Sequence, residues 1–139
     1  MQIPSDLIPI NKWKAFKGNF PPDSPMPHSI IIIYHSAEVI HYFYVTSQID
    51  KVKEIARYDI GSIAEINPND WNELTKDSCV QCNKGHLHQT TEQRIKEEYD
   101  KGEVKYLGLV PEIVKDKIIN ATRLSKTFTD TEKRLYTLP

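Results

Sequence analysis

Three residues at the two ends of one short stretch could act together on a phosphodiester: His28, Thr46 and Ser47. An imidazole titrates near neutral pH and serves as general acid or base, and a hydroxyl donates to a phosphate oxygen. Cleaving RNA through its own 2′-hydroxyl needs a proton acceptor, a proton donor and groups that stabilise the added charge on phosphorus. It needs no metal. The plainer reading is that His28 opens a strand and Thr46 is an ordinary β residue. Tyr42 and Tyr44 share a strand face with Thr46, so they are a platform on which bases stack, or simply core. His41 shares its face with Phe43 and Val45, and both it and His35 read as structural.

Two other constellations compete. Cys79, Cys82, His86 and His88 have the residue types of a tetrahedral zinc site. They fall within a single short stretch, and Cys79 and Cys82 lie in a predicted strand, where residues three apart point to opposite faces. The expectation is therefore no metal and no cofactor, with zinc on these four as the alternative. A redox-active C-x-x-C would open a helix after a strand, and no such unit is visible. Near the N-terminus, Lys12, Lys14 and Lys17 interleave with Trp13, Phe16 and Phe20. Such a segment could touch phosphates and stack on bases. Equally, it could pack its aromatics on the core and leave the lysines in water.

The elements that must position these residues start with a hairpin, His28 to Gln48. Ile30–Ile33 is apolar on both faces, which predicts a strand covered on both sides, in a barrel or sandwich. Val39–Ser47 has the composition of a second strand. With Ser36–Glu38 as a three-residue loop, His35 faces Val39 and His28 faces Thr46. A one-residue slip would separate the last two onto opposite faces.

Along the rest of the chain, residues 1–27 are rich in proline and read as an irregular segment. Helices are expected at Ile49–Arg57, at Glu92–Asp100 with a Thr90 or Thr91 cap, and at Glu112–Leu124 after Pro111. Strands are expected at Ser62–Ile66, Ser78–Asn83, His86–Gln89 and Val104–Val110. Residues 125–139 read as a polar tail with a short helix over Thr129–Leu135. The whole is one domain of 139 residues, with 28–124 as its core. The order predicts an α+β, mainly β fold: a small curved antiparallel sheet or half-open barrel with short appended helices.

Composition sets limits. A net charge of -1 does not announce a nucleic-acid binder, although a local groove can be basic on a neutral protein. Two cysteines make no disulfide framework. No apolar run reaches the roughly 20 residues of a membrane helix. The start of the chain lacks a basic stretch followed by an apolar one, so a cytoplasmic protein is expected.

The middle and C-terminal parts resemble the MazF/PemK-like toxins. HSIIII is similar to the first long buried strand of that family. IHYFYVTSQ is similar to its second strand, which ends in Thr or Ser. LTKDSCVQCNKGHLH and GEVKYLGLVPEIVKDKIINATRLS resemble its later strands and C-terminal helix. The likeness runs from His28 to Leu124. It implies an SH3-like barrel, normally a homodimer, and a metal-independent endoribonuclease that cuts single-stranded RNA and leaves a 2′,3′-cyclic phosphate. It also implies an antitoxin partner. The family's catalytic Thr or Ser matches Thr46 and Ser47. Its Arg falls near His28, yet the first arginine of this chain is Arg57. Either His28 takes over proton transfer, with Lys12, Lys14 or Lys17 restoring charge, or the site is altered and the barrel is a binding module.

Overall fold

The computed structural model describes residues 3–20 and 26–139. Its organising element is the strand His28–His35 (β2), whose four isoleucines alternate between two cores. Ile30 and Ile32 enter one, Ile31 and Ile33 the other, and all four are fully buried. A strand apolar on both faces belongs inside a sheet covered twice. Accordingly β2 lies between β1 (Lys14–Gly18) and β3 (Ile40–Thr46). The sheet is completed by β4 (Ile63–Ile66), β5 (Ser78–Gln81), β6 (His88–Thr90) and β7 (Val104–Leu109). Its order is β4-β5-β3-β2-β1-β7, with β6 also on β3, and every pairing is antiparallel. The ends of this path, β4 and β7, do not pair with each other, so the sheet is open.

Helices cover both faces. On one, α3 (Glu112–Leu124) and α4 (Asp130–Thr137) lay Val114, Ile118 and Tyr136 over Trp13, Ile31 and Phe43. On the other, α2 (Glu92–Asp100) buries Ile95 and Tyr99 against Ile30, Ile32 and Phe16. A short helix, α1 (Ile49–Ile55), follows β3. Thr91, one of the two expected caps, accepts from the Arg94 amide, whereas Pro111 is the N-cap of α3, one place before the first helical position expected for it. Among the described residues no helix is long and apolar enough to cross a membrane.

The fold departs from expectation at both termini. Residues 14–18 are a strand, not irregular chain, and they join β2 to the distant β7. Trp13, Phe16 and Phe20 are buried, so they pack on the cores and do not stack on a ligand. The C-terminal segment is likewise part of the core, since Phe128 and Tyr136 are buried in it.

The hairpin register is as expected at its open end. Ser29 pairs with Val45 and Ile30 with Tyr44, which carries His28 to a position facing Thr46. Toward the turn the pairing shifts by one at a bulge around Ile33. His35 therefore pairs with Ile40, not Val39, and the loop has four residues.

Candidate functional site

The open end of the hairpin forms a cavity of about 260 Å³. β2 contributes His28, β3 contributes Tyr44 and Thr46, and β5 contributes Gln81. These residues share one side of the sheet because the ladder registers align them: Thr46 stands opposite Cys79, two residues from Gln81. Lys51, Val52 and Ile55 close the cavity from α1 and Gln48 from its N-cap, and His86 closes it from the turn before β6. Among the described residues, Lys51 is the one formally charged group of the lining, which contains no carboxylate. The Thr46 hydroxyl accepts from the Gln48 amide at 3.3 Å, which leaves its own hydrogen free to donate.

A row of rings fixes the floor. The His28 ring centroid is 5.1 Å from that of Tyr44, and Tyr44 is 4.2 Å from His88. His88 also stacks on Tyr42 at 5.6 Å. Tyr42 is only 2% exposed and is wedged beneath Phe20 and His88, so it has no free face for a base. Tyr44 is half-buried between two imidazoles and lines the cavity without standing clear of it. Burial holds His86 and His88 below the usual imidazole range, and in His88 the neighbouring His86 adds to the effect.

A second hollow, of about 290 Å³, lies beyond the strand ends. His28, Thr46 and Gln48 line it too, together with Lys17, Ser47, Lys76 and one carboxylate, Glu73. Of the residues singled out from sequence, His28, Thr46, Ser47 and Lys17 thus surround one end of the hairpin. Lys12 is not there. It donates to the Leu135 carbonyl at the far end of the molecule, and Lys14, on β1, pairs with Leu109 of β7.

The cysteines and their histidines do not converge. Cys79 points to the face of Thr46, whereas Cys82 enters the opposite core beside Val80. Burial pushes the Cys79 thiol up to about 11, with Glu65 adding to the rise and Lys53 opposing it. Burial raises Cys82 still further. Among the described residues no three His, Cys, Asp or Glu side chains are placed to hold a metal ion. His41 is structural, its Nδ1 lying 2.9 Å from the Tyr136 hydroxyl.

Sequence reasoning passed over Lys51, Gln48 and Gln81, and took His86 only as a metal ligand. One signal was available: Gln48, Lys51, Val52 and Ile55 are spaced as one face of a helix. No protein-family model matches the chain, and no curated protein matches its sequence.

Proposed function

We propose that this chain is a toxin-type endoribonuclease that cuts single-stranded RNA in the cavity between β2, β3 and α1. The supporting observation is that His28 and Thr46 line one cavity with Lys51 and, among the described residues, with no carboxylate. An RNA phosphodiester is an anion, and this lining offers it a cation, a hydroxyl donor and an imidazole. His28 moves a proton, Thr46 donates to a non-bridging oxygen, and Lys51 offsets the charge that builds on phosphorus. Lys51 thereby supplies the charge of the missing arginine, though as a single point and not a fork. Ser47 and Lys17 receive the neighbouring phosphate in the second hollow. In this reading the open sheet is an SH3-like barrel parted between β4 and β7. The chain works in the cytoplasm as a homodimer, restrained by an antitoxin protein.

Incubation of the purified chain with single-stranded RNA tests this. Cleavage that yields 2′,3′-cyclic phosphate ends and falls at least about 100-fold in His28→Ala and Thr46→Ala is expected. RNA left intact at every enzyme concentration would refute it. A second reading, a binding module on the same fold, is favoured by Ile55, which lines the cavity yet is 68% exposed, and by Tyr58, three residues on, at 76% exposure. Capture of a stable protein partner without any RNA cleavage would select it.

A further inference from the structure

Buried hydrogen bonds decide which nitrogen of His86 carries its proton. Ser62 is fully buried and donates its only hydroxyl hydrogen to the Asp59 carbonyl at 2.7 Å. Its oxygen is therefore an acceptor, and the Asn83 amide nitrogen donates to it at 3.2 Å. That orients the buried Asn83 so that its carbonyl oxygen lies 2.9 Å from His86 Nδ1. The ring nitrogen facing a carbonyl must be the donor, so in the neutral ring the proton is on Nδ1 and Nε2 keeps its lone pair. The turn that carries this histidine is tied down as well: the Lys84 amide donates to Thr127 Oγ1 at 2.9 Å, and Lys84 pairs with Glu132 at 3.2 Å.

We infer that His86 is the general base of the cavity, held in its Nδ1–H tautomer by the Asn83–Ser62–Asp59 relay, and that His28 is the matching general acid. This rests on the ribonuclease reading and assigns its two proton transfers. Nε2 of His86 takes the proton of the 2′-hydroxyl, and O2′ forms its bond to phosphorus. The bond from phosphorus to O5′ breaks with its electron pair going to oxygen, and the His28 imidazolium delivers a proton there. The products are a 2′,3′-cyclic phosphate and a free 5′-hydroxyl, with no other reactant consumed. A base must be neutral and oriented before the substrate arrives, and the relay provides the orientation. The groups that line the cavity with His86 are His28 from β2, Tyr44 from β3, Gln81 from β5 and Lys51 from α1, and His88 from β6 is close enough to feel its charge. Asn83 is a positioning residue.

The test is RNA cleavage by wild type and His86→Ala, each with and without added imidazole, alongside long-range ¹H–¹⁵N spectra of the wild-type histidines. The expected result is a fall in kcat of at least about 100-fold, partial recovery with imidazole, and an unprotonated Nε2 at neutral pH. Wild-type cleavage with His86→Ala within threefold of it would overturn the assignment and leave the ribonuclease reading standing, as would an Nε2–H tautomer. If His86→Ala fails to fold, the tautomer decides alone. Wild-type protein that leaves RNA intact would refute both.

Discussion

The Tyr44 ring is held between two imidazoles, with its centroid 5.1 Å from that of His28 and 4.2 Å from that of His88. Tyr44 is thus the spacer that fixes His28 relative to the cavity floor, and rotamer freedom of His28 is limited by it. Tyr44→Leu keeps an apolar side chain but removes the ring faces. It is expected to cost about 1–2 kcal/mol of stability. It should also release the ring-current shifts of the His28 and His88 protons, seen by NMR. Unchanged His28 shifts in a folded Tyr44→Leu variant would mean that the contact does not position the ring.

Much of this site was legible in sequence because β2 and β3 are neighbours along the chain. Ile30–Ile33 alternates without a polar interruption, so two-sided coverage followed from composition; counting back from a three-residue turn brought His28 to Thr46 only because the four-residue loop and the bulge near Ile33 offset each other. The bulge at Ile33 was invisible, since each isoleucine fits either face. The relay behind His86 was invisible for a different reason. Ser62 and Asn83 are 21 residues apart and meet only through the pairing of β4 with β5. β1 was hidden by its partners: it is short, lysine-bearing and framed by prolines, and it pairs with a strand roughly 90 residues later. Local periodicity carries no signal for such a contact.

Lys117 breaks the apolar stripe of α3, and its amine shows why. It donates to Asp70 Oδ2 at 2.8 Å and to the Glu65 carbonyl at 3.1 Å, tying the helix to the Asn67–Trp71 turn. The Lys117 contact, with help from the Asn67 amide, holds the Asp70 carboxyl below the ordinary carboxylate range. A depressed folded pKa stabilises the protein above the unfolded value, about 3.9, and that contribution is lost as pH falls through the folded value. Wild type should therefore exceed Asp70→Asn in melting temperature at neutral pH, and the gap should close in acid. A gap independent of pH would show that the ion pair does not contribute.

Both thiols are buried, and the Cys79 thiol is pushed up to about 11. Reaction requires thiolate, so at pH 8 a native thiol of this kind reacts at least about 100-fold more slowly than an unperturbed cysteine. A disulfide reagent should label neither residue in the folded protein and both in denaturant. Rapid labelling of Cys79 in the native state would mean that it is not buried as described.

The C-terminal helix α4 begins with a reciprocal cap: Thr129 Oγ1 accepts from the Glu132 amide, and Glu132 accepts from the Thr129 amide. Thr129→Ala is expected to cost about 1 kcal/mol. Tyr136→Ala, which empties a buried site and breaks the contact with His41, should cost about 3 kcal/mol. Urea titration measures both. Equal, negligible effects would return residues 125–139 to the status of a tail.

Gly18 and Gly102 are both irreplaceable by alanine without cost, for opposite reasons. Gly18 lies between β2 and β7, paired with His28 on one side and Val104 on the other. A Cβ there would fall 2.8 Å from Val104 Cγ2 and 2.9 Å from the Glu103 carbonyl oxygen, and the latter is backbone that cannot turn away. Gly102 has open space around it, but its φ of +79° is in the left-handed region. Gly18→Ala should destabilise by about 1–3 kcal/mol through forced displacement of β1 or β7. Gly102→Ala should cost about 1 kcal/mol through backbone strain alone. Asparagine separates the two causes, because it tolerates the left-handed region but is bulkier than alanine. Gly102→Asn is expected to recover stability relative to Gly102→Ala, and Gly18→Asn to lose more than Gly18→Ala. Because Gly18 pairs with His28, its substitution should also reduce the proposed RNA cleavage, whereas Gly102→Asn should leave that proposed cleavage intact. Full cleavage by a destabilised Gly18→Ala would show that the strand can shift without moving the imidazole.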